Sequence, residues 1–93
     1  MIKSFSGRDI ENIWNGLASK RFPIQIQQLA RRKLRILNNS ADLKDLMVPP
    51  YNRLEKLKSE RKNKYSIRIN NQWRICFFWI KGDCYEVEIT DYH

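Results

Sequence analysis

The hydrophobic period changes at Val48-Pro49-Pro50, and that break constrains the chain more than any other feature. Before it, apolar side chains recur at helical spacing; after it they alternate at the spacing of two that strands require. Upstream, Ile10, Ile13, Trp14, Leu17 and Ala18 follow i, i+3, i+4, i+7 and i+8, and Ser6 with Asp9 can form a capping box ahead of them. Pro23 opens a second helix, because its missing N–H costs nothing in a first turn. Ile26, Leu29, Ala30, Leu34 and Leu37 then make one stripe until Asn38-Asn39, with Arg31, Arg32, Lys33 and Arg35 crowding the outer face. Ser40 is expected to cap a short turn holding Leu43, Leu46 and Met47.

Downstream of the prolines, residues 54–57 read as a short strand, and Tyr65, Ile67 and Ile69 alternate with Ser66, Arg68 and Asn70. Residues 73–80 follow a tight Asn70-Asn71-Gln72 turn, and a Lys81-Gly82-Asp83 turn leads into residues 84–90, where Tyr85, Val87 and Ile89 alternate with Glu86 and Glu88. The strand 73–80 is apolar on both faces except at Arg74, the mark of a central strand covered on both sides. Residues 2–5 can add a further edge strand. The expected fold is α+β, two N-terminal helices packed on one face of an antiparallel meander. At 93 residues the whole chain, 1–93, forms one small domain that buries roughly 60–65% of its unfolded surface.

The net charge is +8, and it is unevenly placed. Residues 1–64 carry 15 basic and 6 acidic side chains, residues 65–93 only 3 and 4. A field of this kind draws polyanions, and nucleic acid is the first expectation. The longest apolar run, 75–80, is far short of the roughly 20 residues of a spanning helix, and no apolar signal segment follows the first residues, so the chain reads as cytoplasmic. No helix sets a broad Lys/Arg face against exposed Trp, Phe and Leu, which argues against membrane binding. Nor does any helix pair with a tight Gly-containing turn suit a DNA-binding helix-turn-helix. Cys76 and Cys84 fall on neighbouring strands, Cys84 opposite residue 80 or 81, so more than about 10 Å separates them and both thiols are expected free.

Several groups could carry chemistry. Arg68, Arg74, Glu86 and Glu88 project toward the polar side of the sheet. Arg74, a fork-shaped cation in an otherwise apolar strand, is suited either to holding a phosphate or to an internal ion pair with Glu86 or Glu88. Asp91-Tyr92-His93 gathers a carboxylate, a phenol and the single imidazole within three residues. Histidine's ordinary pKa of about 6.5 suits general acid or base work, and neighbouring carboxylates favour its protonated form. Lys56, Lys58, Arg61, Lys62 and Lys64 form a basic loop between two strands, serving either solubility or RNA phosphate contact, in which Arg68 can share. Tyr65 and Tyr92 beside it either stack an unpaired base or pack in the sheet. No Cys or His grouping suits a metal.

Four stretches carry a family resemblance: Met1-Ile2-Lys3-Ser4-Phe5; Pro49-Pro50-Tyr51-Asn52-Arg53-Leu54-Glu55-Lys56-Leu57; Tyr65-Ser66-Ile67-Arg68-Ile69-Asn70-Asn71-Gln72-Trp73-Arg74-Ile75-Cys76-Phe77; and Glu88-Ile89-Thr90-Asp91-Tyr92-His93. Together they resemble the HigB-type (killer protein) toxins of the RelE superfamily. The resemblance implies a RelE-like fold and a metal-independent, cofactor-free endoribonuclease, an mRNA interferase that cuts mRNA in the ribosomal A site and so inhibits translation and growth. It implies as partners the 70S ribosome, mRNA and a cognate helix-turn-helix antitoxin of HigA type, with operator DNA met only through the antitoxin complex. By position, Arg74 becomes the phosphate stabiliser, His93 the acid or base, and Asp91 and Tyr92 its orienting and substrate-contacting neighbours. Some members have histidine where this chain has Glu55, so Glu55 becomes the candidate second proton-handling group, with Asp91 or His93 as the alternative base. A non-catalytic RNA- or ribosome-binding protein would share the charge and fold, and would need neither His93 nor Arg74.

Overall fold

The computed structural model describes residues 1–91, so Tyr92 and His93 lie outside the described residues. Two helices, α1 (Arg8–Trp14) and α2 (Ile24–Asn39), precede a four-stranded antiparallel sheet in the order β1 (Glu55–Lys56), β2 (Lys64–Arg68), β3 (Trp73–Ile80), β4 (Asp83–Asp91). The expected α+β meander is the observed one. No helix among the described residues is long and apolar enough to cross a membrane.

The helix α1 is shorter than its apolar spacing predicts. Gly16 takes φ +85, its N–H donates to the Ile13 carbonyl, and the Leu17 N–H donates to the Asn12 carbonyl. That pair of bonds is the Schellman ending, which stops the helix before Leu17 and Ala18 and leaves both exposed. The capping box expected from Ser6 and Asp9 does not form; the N-cap is Gly7. Asp9 instead accepts from Ser19 Oγ at 3.0 Å, and buried Gln27 holds the carbonyls of Ser19 and Phe22, which fixes the turn between the helices against α2.

The second helix begins immediately after Pro23, and its stripe of Ile26, Ala30, Leu34 and Leu37 is buried; Leu29 is only partly covered. Lys33, expected on the outer basic face, is buried as well. Its Nζ donates to the Asn52 Oδ1, and burial pushes its pKa down. Ser40 does not cap the following 3₁₀ turn, Leu43–Met47. Its hydroxyl donates back to the Ile36 carbonyl, and Asp42 with Asp45 supplies the capping box. A second 3₁₀ turn, Pro50–Asn52, follows the cis Val48-Pro49 bond and delivers the chain to β1.

One sheet face meets the helices through Ile67, Ile69, Ile75, Phe77, Cys84, Val87 and Ile89, all in the core cluster. Residues 2–5 lie parallel to the outer edge of β4 through bridges at Cys84 and Val87. A β-bulge in β4, with Glu86 at φ +51, breaks the strict alternation expected of residues 84–90. Cys84 and Val87 therefore both face the core, while Tyr85 and Glu88 face away. Cys76 and Cys84 are free and buried, Cys84 standing opposite Trp79 rather than residue 80 or 81.

Candidate active site

The helices leave one face of the sheet uncovered, and strand register fills it with three rows of side chains. One runs Arg68, Arg74, Thr90; the next Glu55, Ser66, Cys76, Glu88; the third Lys64, Phe78, Tyr85. The alternation that buries Ile67, Ile75 and Phe77 beneath the helices turns these residues to the opposite side.

Arg74 is the centre of that face, and only 5% of it is exposed. Its Nε donates to Ser66 Oγ at 2.9 Å, its Nη2 to the Arg53 carbonyl at 2.6 Å and the Ser66 carbonyl at 3.4 Å, and its Nη1 stands 3.9 Å from Glu55 Oε1. The acceptor at Arg53 has a local cause. Arg53 ends the Pro50–Asn52 turn in the left-handed region, φ 44 and ψ 59, a conformation costing about 1 kcal/mol outside glycine. A charge-assisted bond to a buried guanidinium offsets that cost. Of the two residues expected to form an internal ion pair with Arg74, neither is its partner: Glu86 pairs with Arg61 at 2.7 Å and Glu88 with Lys64 at 3.8 Å. Glu55, the partner observed, keeps 46% of its side chain exposed. The site thus couples a fixed cation to an accessible carboxylate.

The six cations expected to contact RNA divide into two groups. Lys56, Lys58, Arg61 and Lys62, with Leu57, Ser59 and Asn63, line a hollow of about 590 Å³ beneath the loop joining β1 to β2. Arg61 is tied down within it, its guanidinium 4.0 Å above the Phe78 ring while paired to Glu86. Lys64 and Arg68 instead stand, half-buried, on the sheet face turned away from the helices. The other basic cluster is partly consumed by packing: Lys33 is buried, and Arg31 Nε donates to the Ile13 carbonyl at 2.7 Å.

Asp91 pairs across from Trp73, one position beyond the Thr90–Arg74 row, and accepts from Gln72 Nε2 at 3.2 Å. Beside it a groove of about 470 Å³ is lined by Arg21, Phe22, Trp73 and Glu88. The assignments to Tyr92 and His93 lie outside the described residues. Among the described residues no group of three His, Cys, Asp or Glu side chains is placed to hold a metal.

Sequence reasoning missed Ser66 and the Arg53 carbonyl. Ser66 had a signal: a small polar residue between Tyr65 and Ile67, in register to meet a long cation from the next strand. The carbonyl had none, because a left-handed arginine is not readable from residue type.

The family model for HigB-like toxins, described as "RelE-like toxin of type II toxin-antitoxin system HigB", matches residues 3–93. Toxin HigB-1 of Vibrio cholerae is 42% identical over 60 residues, a match spanning 64% of this chain and 63% of that protein. Endoribonuclease HigB of Proteus vulgaris is 29% identical over 93 residues, the full length of both. Among solved structures, the YoeB–YefM toxin–antitoxin complex of Staphylococcus aureus contains a chain similar in fold, with TM-score 0.60 at 19% identity, covering 100% of this chain and 95% of that one. The chain belongs to the HigB-like family, the RelE-like toxins of type II toxin–antitoxin systems.

Proposed function

We propose that this chain is a metal-independent endoribonuclease that cuts mRNA in the A site of the 70S ribosome and thereby arrests translation and growth. The observation that carries the proposal is the buried Arg74 clamped beside the exposed Glu55 carboxylate, on the sheet face turned away from the helices and flanked by a basic loop. A relative matched over its full length bears the name endoribonuclease.

In this mechanism Glu55 takes the proton of a ribose 2′-OH, and that oxygen attacks the adjacent phosphorus. Arg74 and the basic field stabilise the charge gathering on the phosphorane oxygens. His93 protonates the departing 5′-oxygen, leaving a 2′,3′-cyclic phosphate and a 5′-hydroxyl. Asp91 and Tyr92 orient His93 and contact the substrate. The toxin works in the cytoplasm and is held inactive by a helix-turn-helix antitoxin of HigA type, through which alone it meets operator DNA.

The deciding experiment measures ribosome co-sedimentation and single-turnover mRNA cleavage on His93→Gln. Cleavage is expected to fall by about 10²- to 10⁴-fold, the usual effect of removing a general acid, with binding kept. Cleavage at the parental rate removes His93 as the acid. A parent chain that binds ribosomes yet leaves no new mRNA ends is a non-catalytic binder.

A further inference from the structure

We infer that Tyr51 is a nucleobase platform, stacking a base of the RNA strand that flanks the reacting phosphate; the inference rests on the ribonuclease reading above. Tyr51 lies in the Pro50–Asn52 turn, between buried Leu46 and half-buried Leu54, and 49% of it is exposed. Its half-exposure leaves aromatic surface accessible from solvent.

Two cations set that placement. The Arg68 guanidinium carbon stands 4.7 Å from the ring centroid and the Lys33 Nζ 5.6 Å from it. Neither cation is loosely held. Arg68 Nε donates to the Asn70 carbonyl at 3.3 Å and its Nη2 to Asn71 Oδ1, while the Lys33 Nζ donates to the Oδ1 of fully buried Asn52. Asn52 is itself fixed by donating to the carbonyls of Leu46 and Val48. Lys33 and Arg68 thus both stand over the ring, and with 49% of the residue exposed the ring keeps surface open to solvent.

The location joins this ring to the candidate active site. Arg68 stands directly opposite Arg74 in the β2–β3 ladder, and Arg53, two residues beyond Tyr51, supplies the carbonyl that holds Arg74. Arg68 therefore stands between Arg74 and the Tyr51 ring, so that on this proposal a strand whose phosphate meets Arg68 beside Arg74 lays its adjoining base toward Tyr51. A pre-ordered aromatic ring with fixed guanidinium charge beside it matches single-stranded RNA, where bases stack on rings irrespective of sequence and phosphates meet arginine.

The test compares Tyr51→Ala and Tyr51→Phe with the parent chain in single-turnover cleavage of mRNA on programmed ribosomes. Thermal melts of all three verify folding. Tyr51→Ala should raise the half-saturating substrate concentration about tenfold, with the saturated rate within about threefold of the parent and the salt slope unchanged, because stacking carries no counterion release. Tyr51→Phe should behave as the parent, since the ring and not the hydroxyl is used. Arg68→Gln should differ from both by flattening the salt dependence. Unchanged half-saturation in Tyr51→Ala, with the parent cutting normally, overturns the platform alone. Loss of antitoxin neutralisation without loss of RNA affinity overturns it in favour of a protein interface. A parent that never cuts mRNA defeats the underlying reading instead.

Discussion

Replacing Arg74 with Lys should unfold this site before it slows any chemistry, because the guanidinium is a structural tie as well as a charge. Its acceptors among the described residues include Ser66 Oγ, the carbonyls of Ser66 and Arg53, and the Glu55 carboxylate. A lysine ammonium is a point donor at the end of one stem and cannot span positions that a planar fork reaches together. Hydrogen bonds to charged groups contribute about 1.5–3 kcal/mol each, and losing two while regaining one in part gives a net loss of about 3 kcal/mol. Against a total stability of roughly 5–15 kcal/mol that is a large fraction. The strand β1 feels it most. Glu55 and Lys56 pair with β2 and the Leu57 N–H adds a bond to the Lys64 carbonyl, a short attachment to which the Arg74–Arg53 bond adds an anchor next to the carboxylate.

Glu55→Gln should show the opposite balance. Two charges 3.9 Å apart attract by about 4 kcal/mol at an effective dielectric constant near 20, but half-exposure and side-chain entropy reduce such pairs to about 1 kcal/mol or less. The amide keeps the shape and lacks the basicity, so single-turnover cleavage should fall about 10²-fold or more with ribosome binding intact. Urea unfolding followed by tryptophan fluorescence measures the first effect, with an unchanged m-value required for the comparison. An Arg74→Lys loss below about 1 kcal/mol, or a Glu55→Gln loss matching it, refutes the clamp. Cleavage by Glu55→Gln at the parental rate transfers the base to Asp91 or His93.

Three further outcomes follow from the geometry. Neutralising Lys56, Lys58 and Lys62 while leaving Arg61 on Glu86 should flatten the salt dependence of RNA binding by about 0.7 log units per log unit of salt for each phosphate no longer neutralised; an unchanged slope puts the footprint elsewhere. Lys33→Met strips the donor from the buried Asn52 Oδ1 and should cost about 1–3 kcal/mol in urea unfolding, despite relieving a desolvated charge. Burial pushes the Cys84 thiol up to about 12 from 9.0, so the unfolded chain releases this proton first and stability should fall as pH rises from 9 toward 12. The limit is about 1.4 kcal/mol per pH unit. Lys33, whose pKa is lowered, acts in the opposite sense below 10.5, so the slope is read against Cys84→Ala, which should be flatter; equal slopes refute the assignment.

Elements built on a clean period were legible in the sequence, and those decided by a single backbone conformation were not. The central strand runs from Trp73 to Ile80 as its two-sided apolar pattern requires, and Arg74, the exception in that pattern, is the residue around which the face away from the helices is organised. The meander and the helix layer follow from the same reading. The spacing through Leu17 and Ala18 misled because Gly16, free to take positive φ, ended the helix first. Lys33 misled because residue type favours solvent, whereas its place on α2 faces Asn52. The partner of Arg74 was missed because the short strand read over residues 54–57 carries no sign of its register, and it is the pairing of Glu55 with Ser66 that brings the carboxylate to Arg74.

The bulge in β4 shows how such a local departure serves the site. The apolar residues of this strand stand at Cys84, Val87 and Ile89, a spacing of three and then two, which no regular strand can bury on one face. Without an extra residue, keeping Cys84 in the core would turn Glu86 and Glu88 inward among Ile75, Phe77 and the helices, a burial of unpaired charge costing several kcal/mol. The bulge absorbs the mismatch at Glu86, in the left-handed region at φ +51, and restores Val87 and Ile89 to the core. It also aims the Glu86 carboxylate at Arg61, whose guanidinium it holds over Phe78. A core requirement of β4 therefore fixes the loop between β1 and β2, and with it the basic hollow beside Glu55.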